Sequence, residues 1–177
     1  AVENIKQSTE KSLVCLLTPQ GKLFNSALAE KLASYEQVIL ICGRYEGVDE
    51  RVSDYLSDEE ISIGDYVLSG GELAAAVVVE AVSRFVPGVV GREESVRHDS
   101  FSTGLLDFPQ YTRPRDFRGY KVPPVLFSGD HQKIARWRLK KALEKTLAKR
   151  PDMLKSRKLS PQEEELLSEI QEERKES

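Results

Sequence analysis

The alternation of apolar and polar positions divides the chain into two parts of different kind. Leu13-Val14-Cys15-Leu16-Leu17 and the run from Val38 to Cys42 have the length and continuity of strands buried on both faces. Between them Asn25 is placed to cap a helix in which Ala29, Leu32 and Ala33 share one face. Strand, helix, strand implies a right-handed parallel unit. Thr18-Pro19-Gln20-Gly21 reads as the turn that ends the first strand, and Ala1 to Lys11 as the end of a helix or a frayed start. The second strand stops at Gly43-Arg44-Tyr45-Glu46-Gly47, a polar turn between two glycines. Val48 to Leu56 follows as a short helix with Val52, Tyr55 and Leu56 inward, then Asp58-Glu59-Glu60 as an acidic loop. A third strand pattern runs from Ile61 to Leu68 and is broken at Gly64, where a glycine marks a bend or a close backbone approach. Glu72 to Phe85 is helical until Pro87-Gly88 stops it.

The remainder changes character. Val89 to Asp107 has no sustained period and reads as a linker or a lid. Ser128-Gly129-Asp130 starts a helix that runs to about Lys149, with Ile134, Trp137, Leu139, Leu143 and Leu147 apolar among many cations. Ser160-Pro161-Gln162-Glu163 opens a last helix, with Ser160 as cap, Pro161 in the first turn and Glu163 closing a capping box. The expectation is therefore an α/β domain over 1–88, a flexible linker over 89–107 and a small basic, all-helical domain over 108–177.

Charge sharpens that division. The formal net charge of −3 over 177 residues conceals −8 in residues 1–100, +10 in 101–158 and −5 in 159–177. A basic block inside an acidic protein is the footprint of a polyanion partner, and Phe117, Tyr120 and Trp137 lie among the cations as stacking faces. Composition otherwise removes possibilities. With 40% hydrophobic residues and no apolar run longer than Leu73 to Val79, no membrane span is expected, and the cytoplasm is the expected location. Cys15 and Cys42 lie in strand-like runs and read as core thiols. His98 and His131 are far apart, and nothing has the spacing of metal ligands. There is no G-x-G-x-x-G after a strand, no phosphate-binding P-loop, and no histidine beside a serine or cysteine nucleophile. What remains is a set of glycine-bent strand ends, where open parallel sheets bind their ligands.

The runs Leu17 to Gly21, Cys42 to Val52, Ser62 to Glu72, Ser83-Arg84-Phe85, Asp99-Ser100-Phe101, Tyr111-Thr112-Arg113-Pro114 and Val122 to Leu126, in this order and spacing, resemble the bacterial tRNA (guanine-37-N1)-methyltransferases of the trefoil-knotted SPOUT class. The resemblance implies a SPOUT-type parallel sheet with a deep trefoil knot. It further implies S-adenosylmethionine as methyl donor, bound among three loops that carry Leu17, Thr18 and Pro19, then Gly43, Tyr45, Glu46 and Gly47, then Ile63, Gly64, Tyr66, Leu68, Gly70 and Gly71. Backbone around Ile63, Gly64, Tyr66 and Leu68 would hold the adenine, and Gly43, Tyr45 and Gly47 would line the ribose and methionine part.

The same resemblance places the general base for the guanine N1 proton at Asp99 and an activating cation at Arg84, with Glu46 and Asp49 arranging cofactor or guanine. An ordinary Asp has a pKa of about 3.9, so the proton transfer needs partial desolvation of Asp99 or near-simultaneous methyl transfer. Members of the class act as homodimers with composite sites on the tRNA anticodon stem-loop, and the reaction supports maintenance of the reading frame. Arg113, Arg115, Lys133, Arg136 and Lys140 are the expected phosphate contacts. A magnesium dependence of the methyl step stays open, as do two other readings: a non-catalytic tRNA-binding fragment, and a related SPOUT methyltransferase with another RNA target. The family also carries an additional amino-terminal stretch, with the first strand and a glycine-rich loop that approaches the guanine, and the chain is expected to be the part that follows it.

Overall fold

Leu13 to Leu17 are buried in unbroken succession, so both faces of this stretch are covered. They form the first half of β1 (Ser12–Leu23), the middle strand of an all-parallel sheet with β2 (Gln37–Cys42) on one side and β3 (Glu59–Ser62) on the other. β1 pairs with β2 from Ser12↔Gln37 to Leu17↔Cys42. With β3 it pairs twice: Cys15 to Leu17 against Glu59 to Ile61, then Lys22 and Leu23 against Ile61 and Ser62. The strand thus does not end at Thr18–Gly21 as expected. Residues 18–21 loop out, and the chain returns to the neighbour it left. At the return point Gly21 lies so close to β3 that a Cβ there would overlap the backbone of Glu60 and Ile61.

The computed structural model describes residues 1–6, 11–89 and 99–176, and it divides into two units, Ala1–Val96 and Arg97–Ser177. The first opens with the short helix α1 (Val2–Ile5). α2 (Ser26–Ala33) begins where the side chain of Asn25 accepts a 3.0 Å hydrogen bond from Leu28 N, and it buries Ala29 and Leu32. α4 (Glu72–Ser83) buries Ala74 and Val78, one turn apart. Leu13, Cys15 and Leu17 on β1 meet Leu32, Ile61, Ala74 and Val78 in one core. Burial there, helped by the carboxylates of Glu59 and Asp58, pushes the Cys15 thiol up to about 11.

Three expectations need correction. Cys42, at the end of β2, is exposed rather than a core thiol, because the sheet's cover stops where β2 reaches its loop. α3 (Glu50–Leu56) buries no residue, and Tyr55 is 79% exposed. The acidic loop is instead the start of β3: Glu59 accepts from Lys22 Nζ at 2.9 Å and Lys31 Nζ at 3.1 Å, Glu60 accepts from the Ser53 hydroxyl, and Asp58 accepts from Val14 N at 2.8 Å. Each carboxylate has a partner, remote in sequence for Asp58 and Glu59, which is what lets acidic residues stand in or beside a strand.

The second unit contains a short antiparallel hairpin, β4 (Asp116–Phe117) and β5 (Tyr120–Lys121), a 3-10 turn at Pro124–Phe127, and the helices α5 (His131–Lys149), α6 (Pro151–Lys155) and α7 (Pro161–Glu176). It is therefore not all-helical. Arg118 and Gly119 have φ of 57° and 87°, the pattern of a tight two-residue hairpin turn. Asp130 caps α5, accepting from Gln132 N and Lys133 N at 3.1 Å each. At α7 the capping box is formed, with Ser160 N donating to Glu163 at 2.8 Å and Glu163 N to the Ser160 hydroxyl at 3.3 Å. Leu105, Ala142, Leu143, Leu166, Leu167 and Ile170 make the core. The buried Thr146 hydroxyl accepts from Leu106 N at 2.9 Å and donates to the Ala142 carbonyl at 2.7 Å, tying residues 105–106 to α5. Of the expected linker, 90–98 lies outside the described residues, whereas Leu105 belongs to this core. Among the described residues no helix is long and apolar enough to cross a membrane.

Candidate active site

The first half of β1, ending at Leu17, and the strands β2 and β3 point the same way, because the sheet is parallel, and each is followed by a chain segment that bends sharply. Residues 18–21 loop out of β1, 43–47 follow β2, and 63–71 follow β3. Tyr45, which is not a glycine, takes φ 63°, and Gly64 takes φ 148°, a value open to glycine and strained for other residues. Gly71 N donates to the Gly43 carbonyl at 2.8 Å, and Arg44 forms a β-bridge with Gly70. Here, too, space is the constraint: a Cβ on Gly71 would stand 2.9 Å from Cys42 Cα. An ion pair from Arg44 Nε to Glu72 Oε1 at 3.1 Å crosses the same junction.

Together these loops enclose a cavity of about 390 Å³. Its volume falls within the range of about 300–1,000 Å³ typical of small-molecule sites. Every residue expected at the cofactor lines it: Leu17, Thr18 and Pro19 from the first loop; Gly43, Tyr45, Glu46 and Gly47 from the second; Ile63, Gly64, Tyr66, Leu68, Gly70 and Gly71 from the third. The Tyr66 hydroxyl donates to the Ile63 carbonyl at 3.2 Å and shapes that third loop. Gln20 and Arg44, within the expected loops 17–20 and 43–47, line it as well, whereas sequence reading missed Glu50 and Ser53. Glu50 and Ser53 lie three positions apart in the first turn of the helix that follows the second loop, a spacing that carried the signal.

Other expected residues stand elsewhere. Asp49 caps α3, accepting from Arg51 N at 3.0 Å and from its guanidinium, which holds the Asp49 carboxyl below its ordinary value. It is not among the cavity's lining residues. Arg84 is the C-cap of α4, at the far end of a 12-residue helix whose first turn lines the cavity, about 18 Å away along the axis. Asp99 begins the described part of the second unit, where its carbonyl accepts from Ser102 N at 3.3 Å.

Among the expected tRNA contacts, Arg113 and Arg115 are exposed, and Lys133 pairs with Asp130 at 3.3 Å. Arg136 is held by Glu165 and Glu169, and Lys140 by Glu169 at 3.1 Å and Glu173 at 2.7 Å. These two cations face the acidic last helix, so their charge is already compensated. The hydrogen bond that Lys140 donates to Glu173, opposed by burial and helped by the one to Glu169, raises the Lys140 pKa.

A parallel α/β unit with a cavity closed by three loops at the carboxyl edge of its sheet is a ligand-binding protein of the strand-end type. The model of the family described as tRNA (Guanine-1)-methyltransferase TrmD matches residues 1–156. The chain is 56% identical over 170 residues to a protein of Geotalea uraniireducens named tRNA (guanine-N(1)-)-methyltransferase, with 96% of this chain and 69% of the relative covered. Likewise named relatives occur in Halalkalibacterium halodurans, 56% identical over 96% of this chain and 70% of the relative, and in Dictyoglomus turgidum, 55% identical over 99% and 71%. The chain therefore belongs to the tRNA (guanine-1)-methyltransferase family, as its motifs led us to expect, and the enzyme class follows from that membership.

Proposed function

We propose that the chain transfers a methyl group from S-adenosylmethionine to N1 of guanine-37 in tRNA, beside the anticodon, and so supports maintenance of the reading frame. The observation that carries this reading is the enclosure of one cavity by all three glycine-bent loops at the carboxyl edge of the sheet. The residues present fit the cofactor. Apolar walls at Leu16 and Ile61 stand beside loop backbone, and Glu46 and Glu50 bring carboxylates that suit a cationic sulfonium. When bound, the cofactor supplies an electrophilic methyl group. The chain's own part is to hold it between the loops, exclude water, and present the target nitrogen on the methyl side.

Asp99 takes the N1 proton in this reading, and Arg84 stabilises charge growing on O6. Arg84 does not line the cavity of its own protomer and is a helix length from it. A homodimer with composite sites is the arrangement we propose. The exposed apolar side chains of α4, with Leu73 69% exposed and Val77 and Val79 about half exposed, support it. The SPOUT fold with its trefoil knot belongs to the same reading, supported by the passage of 70–71 across the end of β2. Arg113, Arg115 and Lys133 remain the proposed phosphate contacts around the anticodon stem-loop, and the cytoplasm the proposed location.

Calorimetric titration with S-adenosylmethionine, followed by methyl transfer to tRNA carrying guanine or adenine at position 37, tests the reading. Cofactor binding with methylation of the guanine form alone is expected. Cofactor binding without transfer would favour the tRNA-binding fragment, and transfer to another RNA position a relative with a different target.

A further inference from the structure

Several cations of the second unit, among them Lys133, Arg136, Lys140, Lys141, Arg150 and Arg157, each pair with a carboxylate. Arg115, Arg118 and Arg138 lie over aromatic rings, as Arg150 also does, with Arg115 4.0 Å from the centroid of Phe127 and Arg138 4.7 Å from that of Phe108. Two of these stacked cations, Arg115 and Arg138, line a concavity of about 890 Å³ with Arg113, Phe108 and Phe127. No carboxylate lines it, and its floor is apolar at Val122 and Leu126. A surface that only met duplex phosphates would gain nothing from a recessed apolar floor. An unstacked nucleotide would use all of it, with its base against ring and guanidinium faces and its phosphates on the arginines.

We infer that this groove of the second unit holds one unstacked nucleotide of the RNA substrate, a site separate from the cavity at the sheet edge. The inference rests on the reading that tRNA is the substrate. Arg115 and Phe127 act as a stacked pair whose exposed plane receives the base, while the edge N–H groups of Arg115, with Arg113 and Arg138, hold the phosphates. Specificity at that nucleotide then comes from stacking and fit rather than from the chemistry at guanine N1.

The test compares the wild-type chain with Arg115→Gln, Arg138→Gln and Phe127→Leu by fluorescence anisotropy. One probe is a labelled RNA stem-loop of anticodon-arm size, and the other is the same stem as a blunt duplex. Each variant is expected to bind the stem-loop about tenfold more weakly and the duplex nearly as wild type. Each arginine variant should also lower the salt slope for the stem-loop by about 0.7. Denaturant unfolding followed by the fluorescence of Trp137, the chain's single tryptophan and a residue of the same unit, serves as the folding control. Unchanged stem-loop affinity, equal loss on both probes, or displacement of the stem-loop by a polyglutamate peptide would each overturn the inference. A wild-type chain that methylates tRNA while the variants keep its KM overturns the groove alone; a wild-type chain that ignores every RNA overturns the groove and the proposed substrate together.

Discussion

Gly21 stands where β1 rejoins β3 after looping out, and its missing side chain is what lets the two backbones meet. The overlap of a Cβ there is with peptide atoms of Glu60 and Ile61, not with the end of a flexible side chain, so relief requires one strand to move. Gly21→Ala is expected to destabilise the first unit by about 1–3 kcal/mol, the range for forced overpacking, and to weaken cofactor binding with it. Denaturant unfolding followed by near-ultraviolet signals, with a parallel cofactor titration, measures both; wild-type stability would remove the close approach as a constraint. Tyr45 is a different case. Its φ of 63° and 90% exposure mark a residue held by its loop rather than by packing, in the wall of the cavity.

At the scale of elements, Glu59 ties β3 to both ends of the β1–α2 crossover through Lys22 and Lys31, and these hydrogen bonds hold its carboxyl below the ordinary 4.5. A carboxyl with a depressed folded-state value adds stability that is full above its unfolded value and is lost as pH falls through the folded one. Glu59→Gln should therefore lower stability by about 1 kcal/mol at neutral pH, since the lysines are largely exposed. Thermal melts of both proteins should converge as the pH is taken below 4.5, and a gap that persists in acid would point to packing instead. The same residue shows what a sequence conveys. The caps at Asn25, Asp130 and Ser160 were legible, because a cap and its amide lie within one turn. So were the buried run of β1 and the glycines that bend the three loops. The placement of Glu59 in a strand was not, because Lys31 is 28 positions away, and neither was the return of β1 to β3, which no local pattern announces. Arg136 and Lys140 looked like open phosphate contacts for the same reason, their carboxylates lying 29 to 33 positions further on.

Over the whole molecule, the exposed apolar side chains of α4 and the remoteness of Arg84 from the cavity belong together. Leu73→Glu changes an exposed side chain, so the protomer should keep its fold and its cofactor affinity. Sedimentation is expected to show a monomer, with methyl transfer reduced by at least about a hundredfold if each site draws residues from two chains. A monomeric variant with full activity would remove the composite site. The last helix has a consequence of another sort. It places Leu166 and Ile170 in the core of the second unit and Glu165, Glu169 and Glu173 against the cations of α5. A cell is crowded with polyanions that are not tRNA, and a bare basic helix would be occupied by them most of the time. By shielding that helix from within, α7 leaves exposed the arginines that also carry a shape, so that discrimination among nucleic acids begins with the charges the protein keeps to itself.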